Sequence, residues 1–100
     1  MQVIISTRGM TISRTYKDLL TRKLAKLAPM IPTLVETRVV LSKEKHRRTA
    51  ALTLVARRRA FRGRGTAADL EAAVDQAVHA LRRQVSETKE RRVRRALGRV

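Results

Sequence analysis

Between Leu70 and Val85 the apolar residues Leu70, Val74, Ala77, Val78, Leu81 and Val85 recur at helical spacing and make one long stripe. Such a stripe has to bury against another element. The segment just before it offers a surface of unusual shape. Residues 60–65 alternate, with Phe61, Gly63 and Gly65 on one side and Arg62 and Arg64 on the other. Glycine weakens a strand, so two at alternate positions predict close approach by another element, here a helix. Thr66 and Asp69 give that helix a capping-box-like start. Asp69, Glu71 and Asp75 occupy its first turns, where the helix dipole favours anions.

The remaining elements follow from the same periodicities. Residues 2–6 read as a short strand with Val3 and Ile5 on one face, and Gly9 turns the chain after it. Ser13 is a suitable N-cap for a helix running to about Ala28, with Tyr16, Leu20, Leu24 and Leu27 in its stripe. Pro29 and Pro32 stop it. Residues 35–42 alternate as a second strand, with Val35, Thr37, Val39 and Leu41 on one face and Glu36, Arg38 and Val40 on the other. A basic connection over 43–48 leads to a third strand, 49–56, whose Ala50, Leu52 and Leu54 share a face. Arg57-Arg58-Arg59 turns the chain into the fourth. The order is β-α-β-β-β-α. It predicts an α+β domain: a four-stranded sheet with two helices packed on one face. The first two strands are expected to be parallel through a right-handed crossover, and the last three to form a meander. The open sheet face carries Arg38, Thr49, Thr53, Arg62 and Arg64. Residues 1–95 are expected to form a single domain, with 96–100 as a basic tail.

Charge limits the function. The 100 residues hold 24 Lys and Arg against 8 Asp and Glu, a formal net charge of +16. A compact chain with that imbalance repels itself, and a polyanionic partner relieves the cost. The chain has no cysteine, which excludes a disulfide framework and a thiolate metal site. No signal-peptide pattern opens it, and no window reaches the roughly 18 apolar residues of a membrane span. A cytoplasmic location, no membrane partner and a monomer in isolation are the expectations.

Catalytic constellations are lacking, so no enzyme activity is expected. His46 and His79 lie in separate elements; Asp75 and His79, four residues apart on one helix, make an ordinary surface pair. Arg62-Gly63-Arg64-Gly65 lacks the spacing of either nucleotide fingerprint. No cofactor and no metal are called for. The informative groups are cations: Arg22, Lys23 and Lys26 on the first helix, and Arg82, Arg83, Lys89, Arg91 and Arg92 on the last. The helix dipole accounts for one or two cations per helix C-terminus, not for eight. If the helices lie side by side, the groups merge into a stripe able to follow a phosphate backbone. Tyr16 and Phe61 are the only aromatic residues, and both serve apolar stripes, so recognition through stacked bases is not expected. Backbone and shape recognition of structured RNA is.

Four stretches carry a family resemblance: Lys23-Leu24-Ala25-Lys26-Leu27, residues 39–45 (Val-Val-Leu-Ser-Lys-Glu-Lys), Asp69-Leu70-Glu71-Ala72-Ala73-Val74-Asp75 and Leu81-Arg82-Arg83-Gln84-Val85. In this order and spacing the chain resembles the ribosome hibernation-promoting factor and ribosome-associated inhibitor family over about residues 1–95. The resemblance implies binding to the small ribosomal subunit in the channel between the subunits. The site there is used by transfer and messenger RNA at the decoding centre, so translation stops. It implies ribosomal-RNA contacts at Arg22, Lys23, Lys26, Arg83 and Lys89; Arg82, Arg91 and Arg92 are added from helix geometry. The family commonly has Asp-Met-Tyr where this chain has Asp69-Leu70-Glu71, a basic residue at Ala80, and small turn residues at Arg57-Arg58-Arg59. Length and a basic tail resemble the short form, which favours ribosome dimers together with a separate small modulation factor. Two alternatives stand beside this reading: a general binder of structured nucleic acid, acting for example on transcription, and a scaffold for acidic proteins.

Overall fold

The two glycines of the fourth strand lie directly under the last helix. A Cβ built on Gly63 would meet the Ala77 carbonyl oxygen and come within 2.8 Å of Leu81 Cγ; one on Gly65 would meet the Ala73 carbonyl and come within 2.7 Å of Gln76 Cβ. Only a residue without a side chain permits backbones to approach so closely. The computed structural model describes residues 2–98, with side chains described through Lys89 and at Arg91.

The chain runs β1 (Gln2–Arg8), α1 (Arg14–Ala25), a 3-10 turn (Ala28–Met30), β2 (Leu34–Glu44), β3 (Arg47–Ala56), β4 (Ala60–Ala67) and α2 (Leu70–Gly98). The sheet order is β1-β2-β3-β4, with β1 parallel to β2 and the other pairs antiparallel. Leu20 and Leu24 of α1 and Val74, Ala77, Leu81 and Val85 of α2 share one core with Val39, Leu41, Leu52 and Leu54 of the sheet. Both helices therefore cover the same face, as the strand alternation requires. The expected fold class is the observed one.

Four of the differences from the sequence reading have a clear local cause. The first helix stops at Ala25, not Ala28. Pro29 has no N–H to bond the Ala25 carbonyl, so the α-helical ladder ends there and the chain continues as a 3-10 turn that still buries Leu27. Val35 does not share the inner face of Thr37, Val39 and Leu41. The β2–β3 register shifts between Leu34 and Glu36, and the extra residue leaves Val35 54% exposed. The basic connection over 43–48 shrinks to a turn at Lys45 and His46, because Glu44 pairs with Arg47; Lys45 takes a φ of 54°. Finally, Thr66 is not the cap of α2. It belongs to β4, and Asp69 caps the helix by accepting from the Ala72 N–H at 2.8 Å. Ser13 caps α1 as expected, accepting from the Tyr16 N–H at 3.1 Å.

A second contact fastens α2 to β4. The Arg62 N–H donates to Gln84 Oε1 at 2.8 Å, and the Thr66 N–H donates to Gln76 Oε1 at 3.1 Å. Arg62 and Thr66 lie on an edge strand, so these amides satisfy backbone donors that no further strand takes up.

The seam gives a direct test. Gly63→Ala and Gly65→Ala each place a methyl group against a helix carbonyl, and each should destabilise the fold by about 1–3 kcal/mol in urea unfolding. Unchanged midpoints would mean that α2 can lift from β4 at no cost.

Candidate nucleic-acid interface

Burial fixes which way each helix presents its cations. With Leu20 and Leu24 buried, Arg22 and Lys26 are exposed, about one helical turn apart at the C-terminal end of α1. Lys23 is half-buried and turns towards α2, where its ammonium pairs with the Asp75 carboxylate. That ion pair links the two helices at the surface.

On α2 the buried Val74, Ala77, Val78, Leu81 and Val85 point at the sheet and α1, leaving Arg82, Arg83 and Lys89 exposed. Asp75, Arg82 and Lys89 recur every seventh residue, so they share one flank at steps of about 10 Å. Asp75 marks that flank as the one beside α1. The geometry thus brings Arg22, Lys23 and Lys26 into line with Arg82 and Lys89, which continue past the end of α1. Arg83 lies roughly 100° further round, on the back of the helix. Arg91 is exposed and sits roughly 200° beyond Lys89. The side chain of Arg92 and residues 99–100 of the tail lie outside the described residues.

The line of cations is interrupted by acid. A groove of about 390 Å³ between the helices is lined by Tyr16, Leu19, Arg22, Lys26 and Glu71 among others. Burial does most to raise the pKa of the Tyr16 phenol, and the charges of Glu71, Asp75 and Asp69 raise it further. The inter-helix groove is therefore of mixed sign, with Arg22, Lys23 and Lys26 on its lining beside Glu71, and the exposed cations outside it run from Arg82 to Lys89.

Two further basic regions stand apart from the helices: the open sheet face expected from the sequence, and a second that appears only in three dimensions. On the open sheet face the registers set Ile4, Arg38, Thr53 and Arg62 in one row across all four strands, with Arg64 in the next. Glu36 on the same face pairs with Arg38. The turn Arg57-Arg58-Arg59 stands beside Lys89, and together they line a second groove. Sequence alone separates these four by a strand and most of a helix, so no local pattern announces them. Among the described residues, no three His, Cys, Asp or Glu side chains gather as metal ligands, and no helix is long and apolar enough to cross a membrane.

The β-α-β-β-β-α sheet with two parallel helices and cations on the helical layer defines a small basic α+β binding domain. The chain belongs to the family described as sigma 54 modulation protein / S30EA ribosomal protein, whose profile matches residues 3–93. Among solved structures it is similar to a ribosomal subunit interface protein from Coxiella burnetii, at 19% identity and a TM-score of 0.82, covering 90% of this chain and 99% of that one. It is also similar to the N-terminal domain of Protein Y from Thermus thermophilus, at 27% identity and a TM-score of 0.77, covering 88% of this chain and 99% of that one. No curated protein sequence matches it.

The single tyrosine reports on the junction of the helices. Its folded-state pKa is raised above 10.0, so the phenol ionises later in the folded than in the unfolded chain. That contribution to stability is present below about pH 10 and is lost as pH rises through the folded value. Tyrosinate absorbance should show one transition with a midpoint above 10.0. Glu71→Gln should move it down. A midpoint at the ordinary value in the folded protein would contradict the burial and the acidic surroundings described here.

Proposed function

We propose that this chain is a ribosome hibernation factor. In this reading it binds ribosomal RNA of the small subunit near the decoding centre, inhibits translation and favours inactive ribosome dimers, with a separate modulation factor as a further partner. Membership of the S30EA ribosomal protein family across residues 3–93 is the observation that carries the proposal. The names of the two similar structures, a ribosomal subunit interface protein and Protein Y, point the same way.

The mechanism is occupancy. No bond is made or broken. Arg22, Lys26, Arg82 and Lys89 follow a phosphate backbone along the helical layer, with Arg forks holding phosphate oxygens in pairs and Lys acting as mobile charge. Lys23 contributes through its pairing with Asp75, which offsets one charge of the acidic start of α2. Arg83, Arg91 and Arg92 extend the contact to the outer and distal parts of α2. A rigid body seated where transfer and messenger RNA bind excludes both. The arginines on the open sheet face favour a second reading, a general binder of structured nucleic acid. Equal affinity for isolated small subunits and for random RNA duplexes would select it.

Binding should weaken steeply with salt, because each phosphate contact releases a counterion. Neutralising about 5–8 phosphates gives a log–log slope of roughly −4 to −7. The triple substitution Lys26→Glu, Arg82→Glu and Arg83→Glu should leave the circular dichroism unchanged, because exposed charges contribute only about 0–1 kcal/mol each to folding. It should abolish co-sedimentation with small subunits and relieve inhibition of in vitro translation. Lys23 is left intact because its reversal would place three carboxylates together and confuse folding with binding. A folded triple variant that still pellets with ribosomes and still inhibits would remove this site.

A further inference from the structure

The groove beside the β3–β4 turn differs in kind from the one between the helices. It measures about 460 Å³, within the roughly 300–1,000 Å³ of small-ligand sites. Its floor is apolar, made by the buried Ile31, Phe61 and Val85. Its rim is cationic, made by Arg57, Arg58, Arg59 and Lys89, all exposed. No carboxylate lines it among the described residues, whereas Glu71 lines the inter-helix groove.

Local structure holds the rim in place. The Ala56 N–H donates to the Arg59 carbonyl at 2.9 Å, and the Arg57 N–H donates to the Thr33 carbonyl at 3.3 Å. The first bond closes a three-residue turn, and the second ties it to the segment after the 3-10 turn. The Arg59 guanidinium carbon lies 5.7 Å from the centroid of the Phe61 ring, within cation–π range. The Arg59 cation is thereby held over the ring, at the apolar floor.

Four positive charges around an apolar floor call for a ligand with several negative charges and a flat, weakly polar body. A plain anion would leave the floor unused, and an apolar ligand would leave the cations unused. We propose that this groove is a nucleotide site, with phosphates held by Arg57, Arg58 and Lys89 and the base stacked on Arg59 over Phe61. Guanidinium planes serve as stacking platforms for unstacked bases, and Arg forks hold phosphate in bidentate fashion. The nucleotide is either free or one splayed from an RNA strand; the chemistry is the same. The site goes beyond ribosome binding, since the three turn arginines lie outside the helical flank and Lys89 alone is shared.

The composition supplies the probe. Phe61 and Tyr16 are the only aromatic residues, so fluorophenylalanine and fluorotyrosine labelling give one fluorine resonance in this groove and one between the helices. Adenosine triphosphate should move the Phe61 resonance saturably and leave Tyr16 in place. Adenosine and tripolyphosphate should each bind at least about tenfold more weakly. The double substitution Arg57→Ser and Arg58→Ser should weaken the triphosphate about fivefold or more and leave co-sedimentation with small subunits intact. If that variant loses its circular dichroism, Arg57→Lys with Arg58→Lys keeps the charge, removes the forks and should still weaken binding about threefold. A single-stranded oligoribonucleotide that displaces the triphosphate, or alone moves Phe61, assigns the site to a strand; one that does neither, beside a bound triphosphate, assigns it to the free nucleotide. A Phe61 resonance indifferent to both ligands would overturn the proposal, as would tripolyphosphate or adenosine matching the triphosphate. Failure of the ribosome reading would appear separately, as a parent protein that does not pellet with ribosomes while its Phe61 response persists.

Discussion

The contact on which the molecule depends is the one between the backbone of β4 and the backbone of α2. Gly63 and Gly65 let the helix settle until its carbonyls at Ala73 and Ala77 lie where side chains would otherwise be. That approach fixes both the height and the rotation of α2. Rotation is the functional quantity. Once Val74, Ala77, Leu81 and Val85 are turned down, Asp75, Arg82 and Lys89 have to run along the flank beside α1, and Arg83 has to face away. The Lys23–Asp75 pair then joins the second helix to the first. A larger residue at either glycine would raise and turn the helix, and the cations would lose their alignment before the fold itself failed.

Most of the architecture was legible because the stripes and alternations agree with one another. The helical stripe from Leu70 to Val85, the paired glycines and the caps at Ser13 and Asp69 all point to one packing. The errors fall where one residue changes the count. A bulge at Val35 has no local signature, since Val is an ordinary strand residue and the extra position shows only against β3. Thr66 and Asp69 satisfy a capping pattern, but Thr66 already belongs to β4 through its pairing with Thr49, so the cap passes to Asp69. The site was legible to a lesser degree. Helical spacing identifies Arg22, Lys26, Arg82 and Lys89 as exposed, yet the pairing of Lys23 and the gathering of Arg57, Arg58 and Arg59 beside Lys89 need the third dimension.

The distribution of the few carboxylates says as much as the excess of cations. There are only 8 in the chain, and Asp69, Glu71 and Asp75 cluster at the start of α2. There they complement the helix dipole, cap the first turn and hold Lys23. The others, Asp18, Glu36, Glu44, Glu87 and Glu90, are scattered along the chain, so cations dominate the rest of it. A surface of this kind gains long-range attraction to polyanions but carries self-repulsion throughout the folded state, and a bound polyanion removes that penalty.

The glutamine clips on β4 have a bearing on self-association. A strand at the margin of a sheet offers its free N–H groups to any extended chain that drifts past, and such pairing is the usual start of aggregation. Gln84 and Gln76 occupy the donors of Arg62 and Thr66 with side-chain oxygens from the chain's own helix. Two neutral amides thereby do what lysines do at other sheet margins, and they do it without adding to a charge that is already +16. The protection lasts only while α2 is seated. Loosening of that helix would release a strand template, and mutual repulsion between chains would then be the remaining barrier to fibre growth, one that salt or bound polyanion lowers.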